Sequence, residues 1–312
     1  MGKYEAVADF ITLENKEFVE IQKIDETKPR VFVFHGALAV ARRDADIVLK
    51  SARAFFADMG IKGYDFYSTH YSRKTLVGFL RYQKATEKER DMIKGEFKQA
   101  VMSLFEDILW PLIQKNMERI SFEEVANNFK KVVFRGHCMG SLLVTNLGNL
   151  LVEKMRELRY SADEIRDLTY NIKVIFTSSI VLPHEIEANF DIYSFINLGD
   201  NELFKYAGED WRANLMYMIG AKKYPDEPTV GTLQANNIDF VLLSSHLDNV
   251  TKQELEAEVR QANEANDRDR AKKLEKVLLG HAWSLIVHPY RKFEGVGKAY
   301  KMFKSMVSKA FE

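Results

Sequence analysis

Gly136-His137-Cys138-Met139-Gly140-Ser141 decides how this chain is read. Just before it, Lys131-Val132-Val133-Phe134-Arg135 has the apolar character of a short buried strand. Just after it, Leu142 to Leu158 carries apolar residues at helical spacing. A strand that becomes a helix within a few residues leaves little space at the bend. Glycines two positions either side of Cys138 are what such a close approach requires. The central residue then projects at the helix N-terminus, where the macrodipole favours a thiolate.

Towards the N-terminus, the loose alternation of residues 4 to 24 breaks at Glu14-Asn15-Lys16. It predicts a hairpin of Ala6–Leu13 and Glu17–Ile24. Arg30-Val31-Phe32-Val33-Phe34 is a continuous apolar run, suited to a central parallel strand buried on both faces. Asp44 to Met59 reads as a helix closed by Gly60, and residues 63–68 as the next strand. Strand, helix, strand in that order implies a right-handed crossover and a parallel sheet. Residues 71–130 exceed one crossover. Glu87 to Asn116 is expected to be helical throughout, kinked at Trp110-Pro111, and the stretch from Thr75 to Lys84 is read either as plain crossover or as a partial lid.

Towards the C-terminus, strands are expected at residues 172–177, 191–198 and 238–243, the last being the final strand. Residues 251–278 are strongly charged and helical, a solvated face by one reading and a protein-binding arm by the other. Val296 to Phe311, with Tyr300, Phe303, Val307 and Phe311 on one stripe, is the last helix. No repeat or linker interrupts the chain. The expectation is therefore one α/β domain over residues 1–312, with helical insertions at about 71–130 and 251–278. Its sheet should be mostly parallel, with helices on both faces.

Composition narrows the partners. Lys+Arg and Asp+Glu are both 45, which gives no electrostatic case for nucleic acid or an anionic membrane. No apolar run approaches about 18 residues, so no membrane span is expected. Residues 1–10 show no secretory pattern, and a single Cys excludes an intrachain disulfide; a reducing, cytoplasmic setting is the simplest expectation. The seven His are scattered without zinc spacing, so no metal or cofactor is expected.

Strand, Gly-x-Cys-x-Gly turn and helix together resemble the nucleophile elbow of the α/β-hydrolase superfamily, with Cys in place of the usual Ser. Phe34-His35-Gly36, Gly199-Asp200 and Gly280-His281 are similar to that family's other motifs and stand in its chain order. The resemblance implies a triad of Cys138, Asp200 and His281 meeting at the carboxyl edge of the sheet. His246 and Asp248 are rivals for base and acid, and Asp200 is alternatively a turn residue capping a helix from Glu202 to Ala207. The backbone N–H groups of Met139 and Ala37, or Leu38 in place of Ala37, are implied as the oxyanion hole. His35 reads as a loop-orienting residue, His137 as a packing residue and His288 as structural. Ser141 reads as a first-turn residue of the helix rather than a second nucleophile.

Two functions follow. In the first, Cys138 attacks the ester, thioester or lactone carbonyl of a small acyl substrate, and the acyl-enzyme is cleaved by water or by an acceptor. In the second, the same scaffold is catalytically silent and serves binding or assembly.

Overall fold

The computed structural model describes residues 8–14, 17–20, 24, 27–36, 42–71, 101–116, 118–179, 181–198, 213–215, 217, 229–235, 237–244, 249–271, 274 and 294–312. The fold is α/β, with a mostly parallel central sheet and flanking helices. Two units divide the chain, one of Met1–Ile175 with Val181–Ile192 and the other of Phe176–Ile180 with Tyr193–Glu312.

In the first unit, β1 (Ala8–Glu14) and β2 (Glu17–Glu20) pair antiparallel, and β3 (Arg30–Phe34) is buried along its whole length. Helix α1 (Arg42–Asp58) leads to β4 (Asp65–Tyr71), which lies parallel to β3 and antiparallel to β1. Gly60, at φ 77°, closes α1. There the Ile61 N–H reaches the Phe56 carbonyl at 3.0 Å and the Gly60 N–H reaches that of Ala57 at 3.0 Å, the paired bonds of a Schellman cap.

Residues 101–108 are helical, as expected, and bury Val101, Leu104, Phe105 and Ile108 at helical spacing. The expected helix to Asn116 stops early. After a short turn of helix at Trp110–Ile113, β5 (Gln114–Lys115) pairs with β6 (Glu118–Arg119). Asn116 makes the reversal at φ 53°, a left-handed conformation that Asn tolerates better than most residues. The earlier part of that expected helix, residues 87–100, and the Thr75–Lys84 stretch lie outside the described residues.

Helix α2 (Phe122–Phe129) precedes β7 (Val132–His137), which runs parallel to β3 with Arg30 opposite Val132 and Phe34 opposite Gly136. Helices α3 (Met139–Glu157) and α4 (Ala162–Thr169) lead to β8 (Lys173–Thr177), the other neighbour of β7. The strand order is β8-β7-β3-β4-β1-β2.

Side-chain alternation assigns the two faces of this sheet. Phe32, Phe34 and Phe134 form one aromatic face, and Phe134 meets Phe190 at 6.1 Å. Helix α3 covers it so closely that a Cβ on Gly148 would lie 2.5 Å from the Phe190 ring. The opposite face receives α1. Phe56 packs edge-on to Phe66 at 5.2 Å, and the buried Arg135 guanidinium lies 5.1 Å from the Phe55 ring centroid.

In the second unit, β9 (Asp191–Asn197) neighbours β11 (Ile238–Ser244), and β10 (Thr229–Ala235) pairs antiparallel with β11 from Thr229–Ser244 to Ala235–Ile238. The sequence carries no expectation of β10, which is defined by its antiparallel pairing with β11. The charged stretch breaks as well. Helix α5 (Asn249–Glu264) ends in a turn at Asn266, φ 56°, and Asp267 restarts a helix by accepting the Arg270 N–H at 3.1 Å. A final helix, α6 (Glu294–Ala310), buries Tyr300, Phe303 and Val307, with Phe303 edge-on to Phe195 at 5.7 Å.

Two predictions concern the first unit. A Cβ on Gly140 would lie 2.2 Å from the Phe34 carbonyl oxygen, and neither backbone can retreat as a side chain can. Gly140→Ala should therefore lower stability by roughly 3 kcal/mol in urea denaturation. At α4, the Glu164 carboxylate accepts the Ser161 N–H at 2.7 Å and Arg119 at 2.9 Å. These bonds, the backbone N–H first, hold its carboxyl below the ordinary 4.5. Its stabilisation is thus complete above pH 4.5 and is lost as pH falls through the lower folded value. Glu164→Gln keeps an acceptor but does not titrate, so its stability should fall less steeply than the wild type's below that pH.

Candidate active site

Strand β7 ends at His137 and helix α3 begins at Met139, so a single residue, Cys138, makes the whole bend. A conformation of φ 50°, ψ −116° is what this demands of it. A residue with a Cβ is held in that sparsely populated region at a cost of about 1–3 kcal/mol, and persists there only when its surroundings dictate it. Cys138 is the chain's one cysteine, in no disulfide, and 6% exposed. Its side chain does not cap α3, whose 19 residues place a helix N-terminus directly at the bend.

Two glycines bring backbone against this residue. Gly36, just past β3, lies so near that a Cβ there would be 3.2 Å from the Cβ of Cys138 and 3.2 Å from Cδ2 of His137. Gly140 sits against the carbonyl of Phe34, at the carboxyl end of β3. The loop after the first buried strand therefore reaches the bend after the next strand in the sheet.

Hydrogen bonds fix both loops. His35 is buried, with Nδ1 3.1 Å from the carbonyl oxygen of Gly36. A carbonyl only accepts, so Nδ1 carries the proton of this bond. On the helix side, Ser141 is fully buried, and its hydroxyl donates to the Cys138 carbonyl at 2.6 Å. The Ser141 N–H reaches the same oxygen at 3.0 Å. The sequence reading placed Ser141 in the first turn of the helix but not this bond. Its signal was a serine three residues after the residue preceding the helix, where hydroxyls bond back to the chain.

Of the residues expected at the site, the structure places Cys138 and Met139 side by side, with Gly36 against Cys138. Ala37, Asp200, His246, Asp248 and His281 lie outside the described residues, as do Leu38, His288 and the Glu202–Ala207 stretch. Among the described residues, no group of three or more His, Cys, Asp or Glu is placed to hold a metal ion. No helix among them is long and apolar enough to cross a membrane. The chain matches no protein-family model, and no curated protein matches its sequence.

The backbone of Cys138 yields a direct prediction. Glycine enters positive φ without the steric cost that any Cβ brings. Cys138→Gly should be more stable than Cys138→Ala by about 1–2 kcal/mol in thermal denaturation, the reverse of the order at an ordinary helix position.

Proposed function

We propose that this chain is an α/β-hydrolase-like enzyme in which Cys138 is the nucleophile toward an ester, thioester or lactone carbonyl. The observation that supports it most is the bend itself: one cysteine, at φ 50° and ψ −116°, joining a buried central strand to the N-terminus of a long helix. Strain of this kind, which glycine would relieve, clusters at functional sites, where the surroundings hold it in place. In this reading Asp200 orients His281, and His281 takes the proton of the Cys138 thiol. The thiolate forms a bond to the carbonyl carbon as the carbonyl π pair moves onto oxygen. The N–H groups of Met139 and Ala37 receive that negative charge. Collapse of the intermediate expels the alcohol or thiol, protonated by His281, and leaves a thioester on Cys138. Water, deprotonated by His281, then releases the acid, or an acceptor takes the acyl group.

One observation favours the silent-scaffold reading: Cys138 is only 6% exposed, so little of it meets solvent. Reactivity separates the two. Iodoacetamide should alkylate Cys138 at pH 7 at least about tenfold faster than a free model thiol. A carbonyl-directed acylating probe should modify the same residue. His281→Ala should slow acylation by about a hundredfold and His246→Ala should not. Alkylation no faster than that of a free thiol, with no acylation, establishes the scaffold reading instead.

A further inference from the structure

We infer that Ser141 is a positioning residue for the oxyanion hole, acting through the peptide between Cys138 and Met139; this rests on the acyl-transfer reading proposed above. A trans peptide is a rigid plane in which the carbonyl and the following N–H point in opposite directions. Whatever fixes the Cys138 carbonyl therefore aims the Met139 N–H. Two donors fix it, the Ser141 hydroxyl at 2.6 Å and the Ser141 N–H at 3.0 Å. The carbonyl cannot donate, so the hydroxyl proton must lie on this bond, and the short separation is typical of a good O–H···O bond. Both donors stand in the first turn of α3, on its C-terminal side of the bend. They draw the carbonyl into the helix and turn the Met139 N–H outward, toward the positive end of the helix dipole.

Two donors restrain the orientation of this carbonyl more tightly than the Ser141 N–H does by itself. Ser141 is fully buried, so its hydroxyl is not itself a group that meets substrate. An N–H misdirected by a fraction of an ångström weakens stabilisation of a developing oxyanion but not the formation of the thiolate.

That difference supplies the test. Alkylation by iodoacetamide is displacement at a saturated carbon and builds no oxyanion, whereas acylation by p-nitrophenyl acetate does. In Ser141→Ala, with Ser141→Gly as a second variant lacking the hydroxyl, the acylation rate of Cys138 should fall about ten- to a hundredfold. Its alkylation rate should stay within about twofold of the wild type. Ser141→Thr, which keeps a hydroxyl able to bond back to the chain, should restore the ratio of the two rates. If both hydroxyl-less variants keep the wild-type ratio while the wild type is acylated, the positioning role is overturned and the nucleophile reading stands. If the wild type is not acylated at all, both are overturned.

Discussion

Position 140 can carry no side chain, because the carbonyl oxygen of Phe34 would lie 2.2 Å from its Cβ. This contact between the first turn of α3 and the end of β3 sets the geometry of everything near Cys138. It lets the helix begin one residue after the strand, and it leaves that one residue no conformation but a strained one. The strain is of order 1–3 kcal/mol. Against it stands the apolar face of α3, where Leu143, Leu147 and Leu151 are each at most 1% exposed. Burial of one such side chain contributes about 1.5–3 kcal/mol, so packing of the helix readily outweighs the strain at its start.

The sheet beneath has two unlike faces, and the bend inherits both. Toward α3 the strands present Phe32, Phe34 and Phe134, an aromatic layer that resists shifts because its rings interlock at 5.8–6.1 Å. Toward α1, β7 presents Arg135, buried and stacked on Phe55. A guanidinium inside a central strand is costly unless it is partnered, and stacking on an aromatic ring is one favourable interaction for it. Interlocked rings on one side and a stacked cation on the other fix the end of β7, from which the bend at Cys138 departs.

How much of this was legible in the sequence follows from what each signal depends on. The runs Arg30–Phe34 and Val132–Arg135 read as buried strands because a parallel strand covered on both faces needs unbroken apolar residues, and both lie in the core. The Gly-x-Cys-x-Gly spacing announced the bend, and at Gly140 the structure shows why: the Phe34 backbone leaves no space for a side chain. Reversals through asparagine escaped notice. Asn266 takes positive φ and ends a helical segment sooner than the charge pattern suggested, and Asn116 takes positive φ in the reversal from β5 to β6. Such turns are decided by one residue's backbone freedom, which periodicity cannot register. β10 was missed for another reason: Thr229–Ala235 alternates weakly and gains its identity from pairing with β11. At the site, the position of Cys138 and Met139 was readable from local spacing. The Ser141 hydroxyl bond depends on the helix beginning at Met139, the bonded residues being three positions apart, and apolar spacing does not fix a boundary to one residue.

The central claim is that the residue forced into the bend is the one that forms a covalent bond to substrate. Intact-mass and peptide spectrometry after an acid quench, within milliseconds of mixing with a short-chain acyl thioester, tests it most directly. The account predicts one acyl group per chain, carried by the peptide that contains Cys138 and absent from Cys138→Ser in thioester form. Turnover of the thioester with no acyl adduct on that peptide, or an adduct on another residue, contradicts it.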